Sequence, residues 1–352
     1  MLPESPDQPL AVEHFGNDPA SVRGGIAAVI RQHLANPDRR LSVSATSTYD
    51  PSASSHWRRN APFLRALGRA ARMHPRGRLV AHVHISQGGS LLREGLLVVL
   101  LRLRRVPVVV TLHGSSSLTG TGLPFLLTGL VLRIATVAHF LSGAHRSRYG
   151  RLAGRHVTRP NAVHVRSGEV APKRQDVVFA GVVGTRKGVD LLLEAWQSVP
   201  SAGWRLHLYG PPDSDYRMPD GIPGVVAHGE VAPAVVQSAL AAAAIAVLPS
   251  REEAFPMFLL EAMGHRCAVV ATDVGGVREL MDGAGTVVPP EDASALGAAL
   301  ARLVTDPRLR GELGDAAGRR AGERFDHAVV GRAWADTYAS LAQPVLDCDA
   351  RR

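Results

Sequence analysis

Acidic residues are missing from a long stretch of this sequence. From Gly95 to Gly168 there is no Asp or Glu, although the span holds ten arginines. Cysteine is almost absent: Cys267 and Cys348 stand far apart and without metal-ligand spacing, which argues against a disulfide or zinc framework and for a reducing compartment. Aromatics are only 5% of the chain. The arginine-rich region from His56 to Arg78 offers only Trp57 and Phe63 for stacking on bases and carries no nucleic-acid-binding motif. A clean apolar run of the ~20 residues that cross a bilayer is also lacking. The nearest approach, Leu123 to Leu141, is interrupted by Arg133 and His139 and reads as a buried or membrane-surface helix followed by a strand. The start, MLPESPDQPLAVEHFG, is acidic and proline-bearing, unlike a signal peptide. There is no P-loop, no G-x-G-x-x-G and no nucleophile elbow.

What is present suits a globular protein of two domains. The chain has 352 residues, 45% of them hydrophobic, too many for one typical core. Its net charge of +9 is divided unevenly: residues 1–165 carry 21 Arg against 7 acids, or +14, and residues 166–352 carry 19 Lys plus Arg against 24 acids, or −5. Such asymmetry points to an anionic partner for the first half alone, whether membrane, anionic lipid or nucleic acid.

Short β-rich runs alternate with helical patterns, the signature of parallel α/β units. Expected strands are Arg40–Ser47, Leu79–Ile85, Pro107–Leu112 and Thr136–Leu141, then Asp176–Val183, Arg205–Tyr209, Val225–His228, Ala244–Leu248, Ala268–Thr272 and Thr286–Pro289. Helices are expected between them, including Ile26–Leu34, Leu91–Leu103, Val189–Gln197, Pro233–Ala243, Met257–Met263 and Ala293–Leu303. A polar Pro/Gly seam near Pro160-Asn161 and SGEVAPKRQD divides two Rossmann-like domains, 1–165 and 166–325. A helix in 326–352 is expected to pack back toward the first. Doubly wound domains bind ligands outside the carboxyl ends of their strands.

Several segments sit where that rule puts chemistry. Arg23-Gly24-Gly25 precedes the first strong helix, where glycines let backbone N–H groups approach a phosphate; an ordinary turn explains it as well. His113, in TLHG, ends a strand and is either a structural or a catalytic histidine. His56, His82 and His84 lie nearby in sequence without metal-binding spacing. Gly184-Thr185-Arg186-Lys187-Gly188 opens a helix with a cation pair that suits a diphosphate, against the alternative of a solvated loop. Asp213-Ser214-Asp215 mimics a metal-binding D-x-D but lies among turn-forming residues. In EEAFPMFLLEAMG, Glu253 and Glu261 bracket seven apolar residues. Pro256 places Glu253 in a loop and Glu261 about one and a half turns into a helix. Glu253 is then either a helix cap or a ligand-binding carboxylate.

The order of these pieces resembles the family 4 glycosyltransferases. The second half, VVFAGVVGTRKGVDLLLEAW … LHLYGPP … AVLPSREEAFPMFLLEAMGHRCAVVATDVGGVRELM … GTVVPPEDASALGAAL, carries the specific part, and GG, TLHG and RPNAV in the first half agree more loosely. The resemblance implies a GT-B architecture, two doubly wound Rossmann-like domains facing a central cleft, and sugar transfer from a UDP- or GDP-linked donor with retention. Glu253 would reach hydroxyls of the donor sugar, and Glu261 the nucleotide ribose. Ala254, Phe255, Met257 and Phe258 would present backbone N–H groups from a helix start, where Pro256 removes one donor, with Lys187 and the Gly24-Gly25 turn at the diphosphate and His113 beside the reacting carbon. The family's arginine after the first-strand glycine is replaced by Val182, which leaves Arg186 as the candidate guanidinium. Pro256 stands within a loop that reads G-F-G in many relatives, so donor preference stays open. No metal and no cofactor are expected. The acceptor expected is a glycan or polyprenyl-diphosphate-linked sugar of a bacterial surface polysaccharide, with the enzyme cytoplasmic and held peripherally at an anionic membrane by Arg58–Arg78 and Arg102–Arg105 beside Trp57, Phe63, Leu64 and Leu67. A soluble acceptor, a sugar-nucleotide epimerase and a nucleic-acid-binding protein are the alternatives.

Overall fold

A computed structural model describes residues 8–22, 24–51, 53–74, 78–86, 88–115, 117–165 and 172–342. The chain divides into two compact units, residues 1–162 with 327–352, and residues 163–326. Arg23, Cys348 and much of the seam SGEVAPKRQD lie outside the described residues.

The first unit runs β1 (Leu10–Asn17), α1 (Gly25–Leu34), β2 (Leu41–Tyr49), α2 (His56–Arg72), β3 (Leu79–Ile85), α3 (Gly89–Leu103), β4 (Val108–Leu112), α4 (Leu123–Ile134), β5 (Val137–Phe140), α5 (Gly143–Tyr149) and β6 (His156–Thr158). Its six parallel strands lie in the order β2-β1-β3-β4-β5-β6. The direction of winding reverses between β1 and β3, so their carboxyl ends form the switch point of a doubly wound sheet. One face buries Phe15, Val83, Ile85, Val110 and Phe140 against α2, α3 and α4. The other buries Leu10, Val12, Val80, Val109 and Val137 against Trp334 and Tyr338. Those two residues belong to a helix of the same unit, Val330, Trp334 and Leu341 marking its buried stripe.

The second unit runs β7 (Arg174–Ala180), a short 3₁₀ turn (Thr185–Lys187), α6 (Val189–Gln197), β8 (Arg205–Tyr209), β9 (Val225–Gly229), α7 (Pro233–Ala242), β10 (Ala243–Leu248), α8 (Met257–Gly264), β11 (Ala268–Thr272), α9 (Val277–Met281), β12 (Thr286–Val288), α10 (Ala293–Thr305), α11 (Pro307–Arg320) and a π-helical turn (Ala321–Phe325). Its sheet is also six-stranded and parallel, ordered β12-β11-β10-β7-β8-β9. Here the switch point falls between β7 and β10. The chain then closes with α12 (His327–Ala342) on the first unit.

Two strands escape the sequence reading. β1, LAVEHFGN, lies inside the sheet between β2 and β3, although it carries a carboxylate and a histidine. Glu13 is 3% exposed yet accepts hydrogen bonds from Ser44, Thr46 and Arg69, so distant side chains satisfy a charge whose burial would otherwise be costly. β6 is only three residues long. The apolar partners assigned to a membrane-facing α2 need correction as well. Phe63 and Leu67 pack against the core, and of the four only Trp57 and Leu64 are exposed.

Candidate functional site

The carboxyl ends of β7, β10 and β11, neighbours in the second sheet, deliver three loops to one place. The loop after β7 carries Gly184-Thr185-Arg186-Lys187-Gly188, in which Arg186 is exposed and Lys187 half-buried. The loop after β10 carries Pro249 to Pro256, with Glu253, Ala254, Phe255 and Pro256 all buried. Glycines allow the loops to close on each other. Gly188 has φ 68°, and a Cβ there would lie 1.9 Å from the Pro249 carbonyl oxygen. Gly275, after β11, has φ 55°, and a Cβ would lie 1.7 Å from the Glu253 carbonyl oxygen. Any side chain at either position would collide with the backbone it seats. The Gly275-Gly276 pair thus seats the Glu253 loop; Gly276 N–H also donates to the Ala254 carbonyl at 3.1 Å.

Glu253 is not a helix cap. Pro256 is the N-cap of α8, which has no side-chain cap bond. Instead, Lys187 Nζ donates to Glu253 Oε1 at 2.5 Å and Ser250 Oγ donates to the same oxygen at 2.8 Å. The two charges that the resemblance assigns to different parts of the donor therefore meet each other here. Glu261 sits on the fifth residue of α8 and is half-buried, between the buried Leu260 and Ala262. Met257 is half-buried and Phe258 buried. The first turn of α8 leaves backbone donors without a side-chain cap, the condition for an anion site.

Arg251 was not singled out by sequence. Its guanidinium binds both carboxylate oxygens of Asp190 at 2.7 and 2.8 Å, reaches Glu291 at 2.5 and 3.0 Å, and donates to the Thr185 carbonyl. Its own backbone N–H donates to the Arg186 carbonyl at 3.0 Å. Arg251 thus ties the cationic turn to α6 and to the Glu253 loop, and the bond to Asp190 raises the guanidinium pKa further. A local motif could not show this, because Asp190 and Glu291 are distant in sequence. Asp213 also stands closer to the turn than a free surface loop would: a Cβ at Gly184 would lie 2.6 Å from Asp213 Cβ, while Asp215 is exposed.

In the first unit, Gly24 is the N-cap of α1, and neither it nor Gly25 has an atom within 4 Å of the place a Cβ would take. The turn is open to a ligand. His113 follows β4 and keeps part of its surface exposed. Behind it, one face of the sheet changes from valine to histidine toward the strands' carboxyl ends. Val12 is followed on that face by His14, Val80 by His82 and His84, Val109 by Thr111 and His113, and Val137 by His139. The register pairs His14 with His82, His84 with Thr111 and Thr111 with His139. His33 of α1 and Trp334 and Tyr338 of α12 cover them. Burial drives His14, His113 and His139 down to about 3 and His33, His82 and His84 well below the usual range. Like-charge repulsion among the rings adds to this for His33, His82, His84, His113 and His139. The sequence showed the alternation at His82 and His84 but not His14, which joins them only through strand pairing.

Among the described residues, His14, His82 and His84 form the group close enough to hold a cation, with ligand nitrogens within 4.8 Å of one another. The His82 and His84 rings are stacked with 15° between their planes, so their in-plane lone pairs do not converge, and both nitrogens of each already face hydrogen-bond partners.

Two parallel doubly wound sheets, with a basic turn and a paired glutamate at a switch point, define the GT-B class. Residues 174–306 match the family Glycosyl transferases group 1. An exopolysaccharide phosphotransferase of Streptomyces coelicolor is 30% identical over 67% of this chain and 26% of its own length. A phosphatidyl-myo-inositol mannosyltransferase of Mycolicibacterium smegmatis is 29% identical over 71% of this chain and 68% of its own. The chain spans between 26% and 46% of the length of the first curated relatives it matches. Among solved structures, a sucrose-phosphate synthase of Thermosynechococcus elongatus superposes with a TM-score of 0.74 at 19% identity, covering 94% of this chain and 98% of that one. HepE of Anabaena in complex with UDP-glucose gives 0.70 at 16% identity, over 94% and 100%. These likenesses confirm the fold.

Proposed function

We propose that this protein is a retaining glycosyltransferase that moves a hexose-type sugar from a UDP- or GDP-linked donor to a hydroxyl of a lipid-linked glycan acceptor. The observation that carries the reading is the pairing of Lys187 with Glu253 beside the N-terminus of α8, at the switch point of the second sheet. A nucleoside diphosphate has the charge to take Lys187 from Glu253 and to accept from the uncapped first turn of α8. Glu253, released, binds sugar hydroxyls, and Glu261 binds the ribose. Arg186, exposed on the same turn, supplies a second cation in place of the family arginine missing at Val182. In this mechanism the leaving phosphate helps to deprotonate the acceptor on the front face of the sugar, with His113 in support and no divalent metal. The UDP-glucose complex of HepE supports the donor class.

A membrane-associated acceptor finds support in the surface of the first unit. α2, α3 and α4 share one core, and their outer sides expose Trp57, Leu64, Leu92, Leu96, Val99, Leu103, Leu123, Leu126 and Leu130. Leu92, Leu96, Val99 and Leu103 recur at helical spacing; Arg58, Arg65, Arg72, Arg102 and Arg133 lie exposed on the same helices, and Arg105 lies exposed in the turn after α3. Apolar side chains rimmed by arginine suit the interface of an anionic bilayer, at the cytoplasmic face where polysaccharide precursors are built. Among the described residues no helix is long and apolar enough to cross a membrane.

The test is a thermal-shift screen against UDP-, GDP- and ADP-sugars, followed by NMR of the anomeric product. A stabilising nucleotide sugar, and a product with the donor's anomeric configuration, are the expected results. Turnover abolished by EDTA and restored by Mg²⁺ or Mn²⁺ would give Asp213 the metal role denied to it here. Co-sedimentation with anionic liposomes should occur at low salt and fade as salt rises; no binding at low salt ends the membrane reading.

A further inference from the structure

The histidine face contains two hydrogen-bonded chains. In the first, every proton can be assigned from chemistry. His139 Nε2 lies 3.0 Å from the Arg159 carbonyl, which only accepts, so Nε2 carries the proton and Nδ1 is a lone pair. Thr111 Oγ1, 2.8 Å from that Nδ1, must donate to it. His82 Nε2 then donates to Thr111 at 2.6 Å, and Tyr338 O–H donates to His82 Nδ1 at 2.6 Å. Nothing in this chain is left over.

The second chain links His14 Nδ1 to His84 Nε2 at 2.8 Å, and His84 Nδ1 to His113 Nε2 at 2.8 Å. It can run in either direction. If protons point from His113 inward, His14 Nε2 carries an N–H. That nitrogen is buried and has no partner, and an orphaned buried donor is rarer and costlier than an orphaned acceptor. If protons point outward, the orphan at His14 is only a lone pair. His84 then donates to His113 Nε2, and the remaining proton of His113 must sit on Nδ1.

We infer that His14 and His84 are positioning residues that lock His113 in its neutral Nδ1–H tautomer, so that its ring acts as a hydrogen-bond donor and not as a base. Burial keeps the three rings uncharged. In water a neutral histidine favours the opposite tautomer, so the lock has an observable signature. The donor's use by substrate rests on the glycosyl-transfer reading; the tautomer does not.

Long-range ¹H–¹⁵N correlation spectra of ¹⁵N-histidine-labelled protein at pH 7 read the protonated nitrogen directly. The expected spectrum shows the Nδ1–H pattern for His113. His84→Phe, which removes the donor to Nε2, should release His113 to the Nε2–H form and lower kcat roughly a hundred-fold with little change in donor KM. His84→Gln, whose amide can accept from His14 and donate to His113, should keep the pattern and most of the activity. An Nε2–H or imidazolium pattern for His113 in the unaltered protein overturns the inference without need of any variant, as does an unchanged pattern in a folded His84→Phe. So does a stoichiometric metal ion in the isolated protein. If the pattern appears but no sugar transfer is found, the tautomer lock stands and the functional reading falls.

Discussion

Mild acid should unfold the first unit over a narrow range of pH. In an unfolded chain each histidine takes up a proton near pH 6.5. In the folded unit His14, His113 and His139 resist protonation until about pH 3, and His33, His82 and His84 are pushed well below 6.5 by burial. Below pH 6.5 the unfolded state therefore binds more protons, so stability falls as pH falls. Each histidine of this kind contributes a loss of about 1 kcal/mol at pH 6 and about 2 kcal/mol at pH 5. Acting together they lose several kcal/mol at pH 6 and on the order of 10 kcal/mol at pH 5, against a whole domain stability of roughly 5–15 kcal/mol. The fold should fail between about pH 6 and pH 5. Urea unfolding followed by near-ultraviolet circular dichroism, from pH 7.5 downward, measures the slope. Calorimetry in buffers of different ionisation heat should show proton uptake on unfolding that rises steeply toward pH 5. A urea midpoint that stays constant from pH 7.5 to 5.5 would refute the reasoning.

The second unit yields its own expectations. Glu253→Gln should lower turnover by roughly 10²–10³ yet tighten binding of the bare nucleoside diphosphate about five-fold by calorimetry, because Lys187 loses a competitor worth about 1 kcal/mol; weaker nucleotide binding would contradict the pairing. Glu261→Gln should mainly weaken nucleotide binding, by about 1.5–3 kcal/mol. Gly275→Ala, which sets a Cβ against the Glu253 carbonyl, should cost about 2 kcal/mol or more in thermal denaturation. Arg251→Met should raise the KM for the nucleotide sugar and cost about 1–2 kcal/mol of stability, and unchanged values would show that the turn holds itself.

The second unit was the more legible because its key residues are close in sequence to the loops they serve. Glu253, Pro256 and Glu261 fall within one strand–loop–helix passage, and Lys187 directly precedes a glycine-started helix. The partners that hold them are remote. Arg251 depends on Asp190 and Glu291, and Glu253 on Lys187. No local spacing encodes such pairings. β1 was hidden for the same reason, since Glu13 and His14 are acceptable in a buried strand only because Ser44, Thr46, Arg69 and His84 meet them. The exposed leucines of α3 and α4 were invisible until the helices had packed, because a leucine in a helix announces burial by default.

The place of α12 in the chain also sets an order of events during synthesis. Residues 163–326 can collapse around their own sheet as soon as they emerge. The first unit, though begun earlier, must wait for Trp334 and Tyr338 to cover its histidines. Until then His82 lacks its phenolic donor and the imidazoles stay in water, titrating as they would in a peptide. A nascent chain halted near residue 326 should thus expose a half-built, proton-binding sheet to chaperones and proteases, while the part made after it is already native.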